Sequence, residues 1–273
     1  MSFPAVQTVR QTIANHWPEY VMEAFGLGLF MISACVFSTW LSHPASAVPA
    51  ALPNLFVRRI LMGIAMGVTA VINIYSPWGQ RSGAHLNPSV TLTFWRLGKV
   101  QAIDAVGYVL AQCAGATLGI GIAAVLLGPL VAHPSINYVL TRPGMCGALI
   151  AFIGEFVISC GMMALVLTVS STPRIARLTG LFAGMLVVVY ITLEAPLSGM
   201  SMNPARTLGS SVFARHWPTL WIYWVALPLG MLTAAWLYVR RYGIQRVLCA
   251  KLDHAPRVRC IFCGYLPAQV GGV

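Results

Sequence analysis

The sequence predicts an all-α membrane protein of six transmembrane helices and two re-entrant half-helices, arranged as an inverted repeat. Three observations carry this expectation. The 273 residues are 58% hydrophobic and only 8% charged, whereas about a quarter of the residues of a soluble domain are charged. Six apolar runs are long enough to cross a bilayer. Two near-identical segments, His85-Leu86-Asn87-Pro88-Ser89-Val90 and Ser201-Met202-Asn203-Pro204-Ala205-Arg206, stand at matching places in the two halves of the chain.

The spanning runs cover residues 20–41, 56–75, 103–127, 147–169, 178–193 with an extension to 196, and 220–239. An even number of spans puts both termini on one side of the membrane. Twelve of the seventeen Lys and Arg fall on that side, and the positive-inside rule makes it cytoplasmic. The plasma (inner) membrane is the expected location. Residues 1–19 are polar and read as a cytoplasmic segment, not a cleavable signal, because the apolar run after them is too long and carries Glu23. The net charge of +11 needs no nucleic acid; attraction to anionic lipid accounts for it.

Each Asn-Pro reads as the start of a helix. Asn is a preferred N-cap, and Pro at the first helical position gives up an amide hydrogen that would have no partner there. About ten mostly apolar residues follow, to 97 and to 213, which at ~1.5 Å per residue reach roughly half of a ~30 Å hydrocarbon core.

The two halves align. Arg59 to Gly67 matches Arg177 to Gly184, both stretches run on to a Pro (Pro77, Pro196), and the spacing from Tyr108 to Gly115 repeats from Tyr223 to Gly230. Glu23 in the first span matches Glu155 in the fourth. Each half holds three spans and one half-helix, so the second inserts upside down and the half-helices meet at the midplane. Repeat 1 covers about 20–128 and repeat 2 about 146–240, within a channel-like domain of 20–240 followed by a cytoplasmic tail of 241–273. Gly63, Gly67, Gly115, Gly180, Gly184 and Gly230 fit close helix crossings, since small residues let backbones approach in lipid.

Opposed half-helices aim two positive dipole ends at the bilayer centre, where the Asn87 and Asn203 amides offer donors to a passing oxygen. A neutral hydroxylic molecule fits that field, a cation meets a barrier, and a water held by two donors cannot relay a proton. Arg206 is costly in a membrane unless it faces an aqueous path. No Ser-His-Asp arrangement, phosphate loop or carboxylate pair with room for substrate appears, so no enzymatic activity is expected.

The paired motif resembles the signature of the aquaporin, or major intrinsic protein, family, over about residues 20–240. The resemblance implies a passive channel for water and small uncharged solutes that excludes ions and protons, assembled as a homotetramer in the lipid bilayer. It implies a pore constriction at Asn87, Pro88, Ser89, Asn203, Pro204 and Ala205, with Ser89 standing where the family pattern has Ala. The selectivity filter falls on Met66, Ile191, Met200 and Arg206. Water-selective members carry an aromatic residue and a histidine at the first two of these, so Met66 and Ile191 suggest a wider, less polar opening for glycerol, urea, ammonia or metalloid hydroxides. Thr207, standing where glycerol-conducting members carry Asp, and the pair Tyr223-Trp224 point the other way.

Intramembrane carboxylates are functional candidates by default. By resemblance, Glu23 and Glu155 brace the re-entrant loops, and Glu194 is assigned the same role for residues 197–202. His85 either lines the cytoplasmic vestibule or bonds to loop backbone. A secondary transporter, which also uses inverted repeats and broken helices, and a structural protein with a closed pore are the rival classes.

Cys35, Cys113, Cys146 and Cys160 fall in or beside spans, where free Cys is a small apolar residue. The tail differs: Cys249, His254, Cys260 and Cys263 follow the spacing C-x4-H-x5-C-x2-C. Four such ligands could close a tetrahedral zinc site, the alternative being an unstructured basic tail with lipidated Cys. No cofactor is expected for transport.

Overall fold

The computed structural model describes residues 8–267. Residues 1–7 of the N-terminal segment and 268–273 of the tail lie outside the described residues. Six helices have the length and apolarity to cross a membrane. In chain order the elements are α1 (Val9–Ser42), α2 (Leu55–Tyr75), α3 (Pro88–Arg96), α4 (Ala102–Leu127), α5 (Gly147–Ser170), α6 (Thr179–Leu193), α7 (Pro204–Ala214) and α8 (Leu220–Tyr242). Helices α3 and α7 are the half-helices.

The spans end close to their sequence-based limits, with one difference. Helix α1 begins at Val9 instead of residue 20, because Thr8 and Gln11 form a capping box: Gln11 N donates to Thr8 Oγ1 at 3.3 Å and Thr8 N to Gln11 Oε1 at 2.9 Å. The segment read as polar thus continues the helix through Pro18 and ends in the buried Glu19.

Helix α1 packs along α4, α5 along α8, and α2 against α6, so the first two pairs belong to one repeat each and the third joins the repeats. These crossings are close. A Cβ on Gly115 would lie 2.1 Å from the Ala24 carbonyl oxygen, and one on the matching Gly230 would lie 2.3 Å from that of Phe156, so only glycine lets the backbones touch there. The outer faces carry exposed Leu110, Leu118 and Val157, as a surface that meets lipid tails requires. The molecule is an integral membrane protein.

Two short helical turns, Pro77–Ser82 and Ala195–Ser198, lead into the half-helices and end at Gly83 and Gly199 with φ of 99° and 84°. The loops beyond them hold Ala84, Leu86, Met200 and Met202 at φ of 53°, 48°, 48° and 51°. Left-handed backbone is costly for such residues. Its recurrence at matched positions of both repeats marks two loops held in one unusual shape.

Candidate functional site

Asn87 caps α3 by accepting from Ser89 N at 2.9 Å, and Asn203 caps α7 by accepting from Ala205 N and Arg206 N at 3.1 and 3.3 Å. Their amide nitrogens reach across the molecule. Asn87 Nδ2 donates to the Met202 carbonyl and Asn203 Nδ2 to the Leu86 carbonyl, each at 2.6 Å. The left-handed turns at Leu86 and Met202 present those carbonyls. Each amide NH2 has two hydrogens, so one remains on each Asn after the clasp forms, and both Asn border a central cavity.

Two buried carboxylates hold the loops. Glu23 accepts from Ser82 Oγ (2.7 Å), His85 N (3.1 Å), Leu86 N (2.6 Å) and Gln112 Nε2 (2.8 Å). Glu155 accepts from Ser198 Oγ (2.7 Å), Ser201 N (2.6 Å) and Met202 N (2.8 Å). Sequence reasoning missed the tyrosines that complete the pattern: Tyr108 Oη donates to Ser82 O at 2.7 Å and Tyr223 Oη to Ser198 O at 2.6 Å. Their matched spacing was the available signal. Glu194 differs from Glu23 and Glu155 in its hydrogen bonding. It is buried, but neither carboxylate oxygen has a hydrogen-bond partner among the described residues; only its backbone carbonyl serves the loop, accepting from Leu197 N at 2.8 Å.

The cavity has a volume of about 330 Å³ and takes in Met66, Ile191, Met200 and Arg206 together with both Asn. Its wall is otherwise mostly apolar, and the Arg206 Nη1 is buried with no hydrogen-bond partner among the described residues. Arg59, which opens the repeat match in the second span, also borders it. Pro88, Ser89, Pro204 and Ala205 are buried at the half-helix starts and none of the four is part of the cavity wall among the described residues. His85 does line the cavity, and it also bonds to a loop: Nδ1 pairs with Thr91 Oγ1 at 3.0 Å and Nε2 with the Ala250 carbonyl at 2.8 Å.

In the tail, the ligand atoms of Cys249, His254, Cys260 and Cys263 all lie within 4.8 Å of one another. Cys249 Sγ is 3.5 Å from Cys260 Sγ, and His254 Nε2 is 3.2 Å from Cys263 Sγ. A tetrahedron with Zn–S bonds of about 2.3 Å has sulfur atoms about 3.8 Å apart, and the donor separations are compatible with that geometry. The turn after Cys260 closes through Gly264 N to Cys260 O at 3.1 Å, with Gly264 at φ 72°. The Cys260 thiol is held below its ordinary pKa, first by its hydrogen bond with Cys249, against the opposing effect of burial, and then by the Cys263 and Phe262 amides and the Lys251 ammonium.

Six spans and two opposed half-helices around a cavity define a polytopic membrane protein whose centre is built from a repeated Asn-Pro motif. The chain belongs to the major intrinsic protein family, whose family model matches residues 9–238. It is 34% identical over 183 residues to "Aquaporin NIP1-1" of Arabidopsis thaliana, covering 65% of this chain and 62% of that relative. It is 33% identical over 220 residues to "Probable aquaporin NIP7-1" of the same plant, covering 79% and 74%. The chain thus spans less than two thirds of the length of NIP1-1 and slightly more of NIP7-1. The fold is similar to that of the aquaglyceroporin from Plasmodium falciparum, with a TM-score of 0.68 at 19% identity over 82% of this chain and 95% of that one.

Proposed function

We propose that the chain is a passive transmembrane channel for water and small uncharged solutes, excluding ions and protons, with no enzymatic activity. The observation that carries this is the reciprocal clasp of Asn87 on Met202 O and Asn203 on Leu86 O, which leaves one amide hydrogen on each Asn for a molecule in the cavity. A water accepting from both directs its own hydrogens away from its neighbours and breaks a proton wire. Membership of the family and the names of the relatives support the same reading.

In this reading Asn87, Pro88, Ser89, Asn203, Pro204 and Ala205 form the constriction, and Met66, Ile191, Met200 and Arg206 the selectivity filter. Glu23 and Glu155 brace the loops. Residues 20–240 form the channel domain from its two repeats, and both termini are cytoplasmic in the plasma membrane. The chains assemble as a homotetramer, which cross-linking in the native membrane checks. A wider range of neutral solutes, such as glycerol or urea, is the second reading; it rests on the apolar Met66, Ile191 and Met200 at the filter. Stopped-flow light scattering of proteoliposomes, with and without a permeant chelator, tests the channel. Water flux should exceed that of protein-free vesicles without proton flux. Saturable, ion-dependent flux would indicate a transporter instead.

The tail is proposed to hold one structural zinc ion through Cys249, His254, Cys260 and Cys263. Elemental analysis should find about one zinc per chain and none in a Cys260→Ser/Cys263→Ser variant. Equal metal content in both would contradict it.

A further inference from the structure

We infer that the metal-organised tail is a cap on the cytoplasmic mouth of the pore, closed when its Cys and His ligands hold zinc and released when the metal is lost. This rests on the channel reading and on the zinc reading above.

After α8 the chain turns at Gly243 and folds back beneath the re-entrant loop that carries Asn87. It meets the pore at three points. The Leu252 side chain forms part of the cavity wall itself, and Leu252 N donates to Gly83 O at 3.1 Å. The Ala250 carbonyl takes up His85 Nε2. The Phe262 ring lies parallel to the His85 imidazole, 5.3 Å away with 4° between the planes, and the Phe94 ring also stacks on His85, at 5.3 Å. His85 stands two residues before Asn87, so the tail occupies the approach to the constriction.

Charged and polar contacts clamp it there. Glu19 is fully buried and accepts from Arg259 of the tail (Nη2 to both oxygens at 2.8 and 3.0 Å, Nε at 3.0 Å) and from Arg81 of the loop (3.0 Å). Lys251 Nζ donates to Gln80 O of the loop at 2.6 Å and to Arg259 O of the tail at 2.7 Å. Gln80 Nε2 donates to Asp253 Oδ2 at 2.8 Å. Every one of these tail residues lies between Cys249 and Cys263.

Beyond a single 3-10 turn at Ile244–Arg246, the tail has no regular secondary structure among the described residues. A segment this short does not fold on its own burial, and binding energy at a structural zinc is folding energy. The ligand cluster brackets Leu252, Arg259 and Phe262 and, with the clamp, sets them in register with the mouth. His254 and Cys263 are exposed, so a chelator can reach the site while the cap is closed.

The test compares osmotic water permeability of full-length proteoliposomes in four states: zinc-loaded, chelated, Cys260→Ser/Cys263→Ser, and Arg259→Gln, which keeps all four ligands but cuts the clamp to Glu19. Amide exchange over residues 249–263 is followed in the first two. The cap predicts several-fold higher water flux in the last three states than in the zinc-loaded protein, full zinc content in Arg259→Gln, and faster exchange on chelation. Equal flux in all four, above protein-free vesicles, overturns the cap and leaves the channel standing. Flux no greater than that of protein-free vesicles in all four overturns the channel reading and the cap with it. Opening by Arg259→Gln without any response to chelation, in flux or exchange, overturns metal control.

Discussion

Asn87 and Met202 are joined across the centre of the molecule, the Asn87 Nδ2 donating to the Met202 carbonyl at 2.6 Å, and Asn203 returns the same bond to Leu86. Each half-helix is thus capped by a residue whose amide is anchored in the other repeat. The substitution Asn87→Asp separates the two roles. Aspartate keeps the acceptor for Ser89 N and is favoured at a helix N-terminus, but it donates nothing to Met202 O or to a water. The loss of one buried bond destabilises by about 1–3 kcal/mol. Water flux should fall several-fold and cation leak should rise, read by stopped-flow scattering and a potential-sensitive dye.

Glu155 and Glu194 are both buried, and among the described residues Glu155 accepts hydrogen bonds through its carboxylate whereas no geometric hydrogen bond reaches that of Glu194. Glu155→Gln replaces one acceptor oxygen with a donor facing N–H or O–H groups, and should lower stability by about 1–3 kcal/mol. Glu194→Gln removes a buried carboxyl that has no partner among the described residues and should leave stability unchanged or raise it. Thermal unfolding in detergent ranks the two variants; equal losses would mean that the bonds to Ser198, Ser201 and Met202 carry no weight.

Met66 and Ile191 border the cavity beside Arg206. The double substitution Met66→Phe/Ile191→His adds bulk and a polar wall, and is expected to lower glycerol or urea flux more than water flux. Measuring all three on the same liposomes checks this. An unchanged ratio would remove both residues from the filter.

Arg206→Ala takes away a buried guanidinium nitrogen without a partner among the described residues. The helix dipoles remain, while the proposed filter loses its charge and narrows less, so larger solutes should pass and cations or protons leak. Wild-type selectivity in a folded variant would show that Arg206 plays no part in it.

Much of this was legible because it is local. The Asn-Pro caps, the six apolar runs and the pairing of Glu23 with Glu155 follow from propensity, hydropathy and internal symmetry. Other features depend on backbone shape or on distant partners. The carbonyls of Leu86 and Met202 become acceptors only because those residues are left-handed, which their side chains do not announce. Glu194 has no carboxylate counterpart in the other repeat, and its carboxylate oxygens find no hydrogen-bond partner among the described residues. The tail's ligand spacing could be read, whereas its seat could not: Arg259 meets Glu19 across 240 residues, and no periodic pattern encodes that.

If the Asn clasp passes neutral molecules and stops protons, water and proton flux must separate in the same vesicles. Full-length protein is reconstituted, its zinc removed by chelation, and osmotic water flux and proton flux are recorded on the same vesicles under matched gradients. Water flux several-fold above that of protein-free liposomes is expected, with proton flux no greater than theirs. Proton flux that rises with water flux, or water flux equal to that of protein-free liposomes, would contradict it.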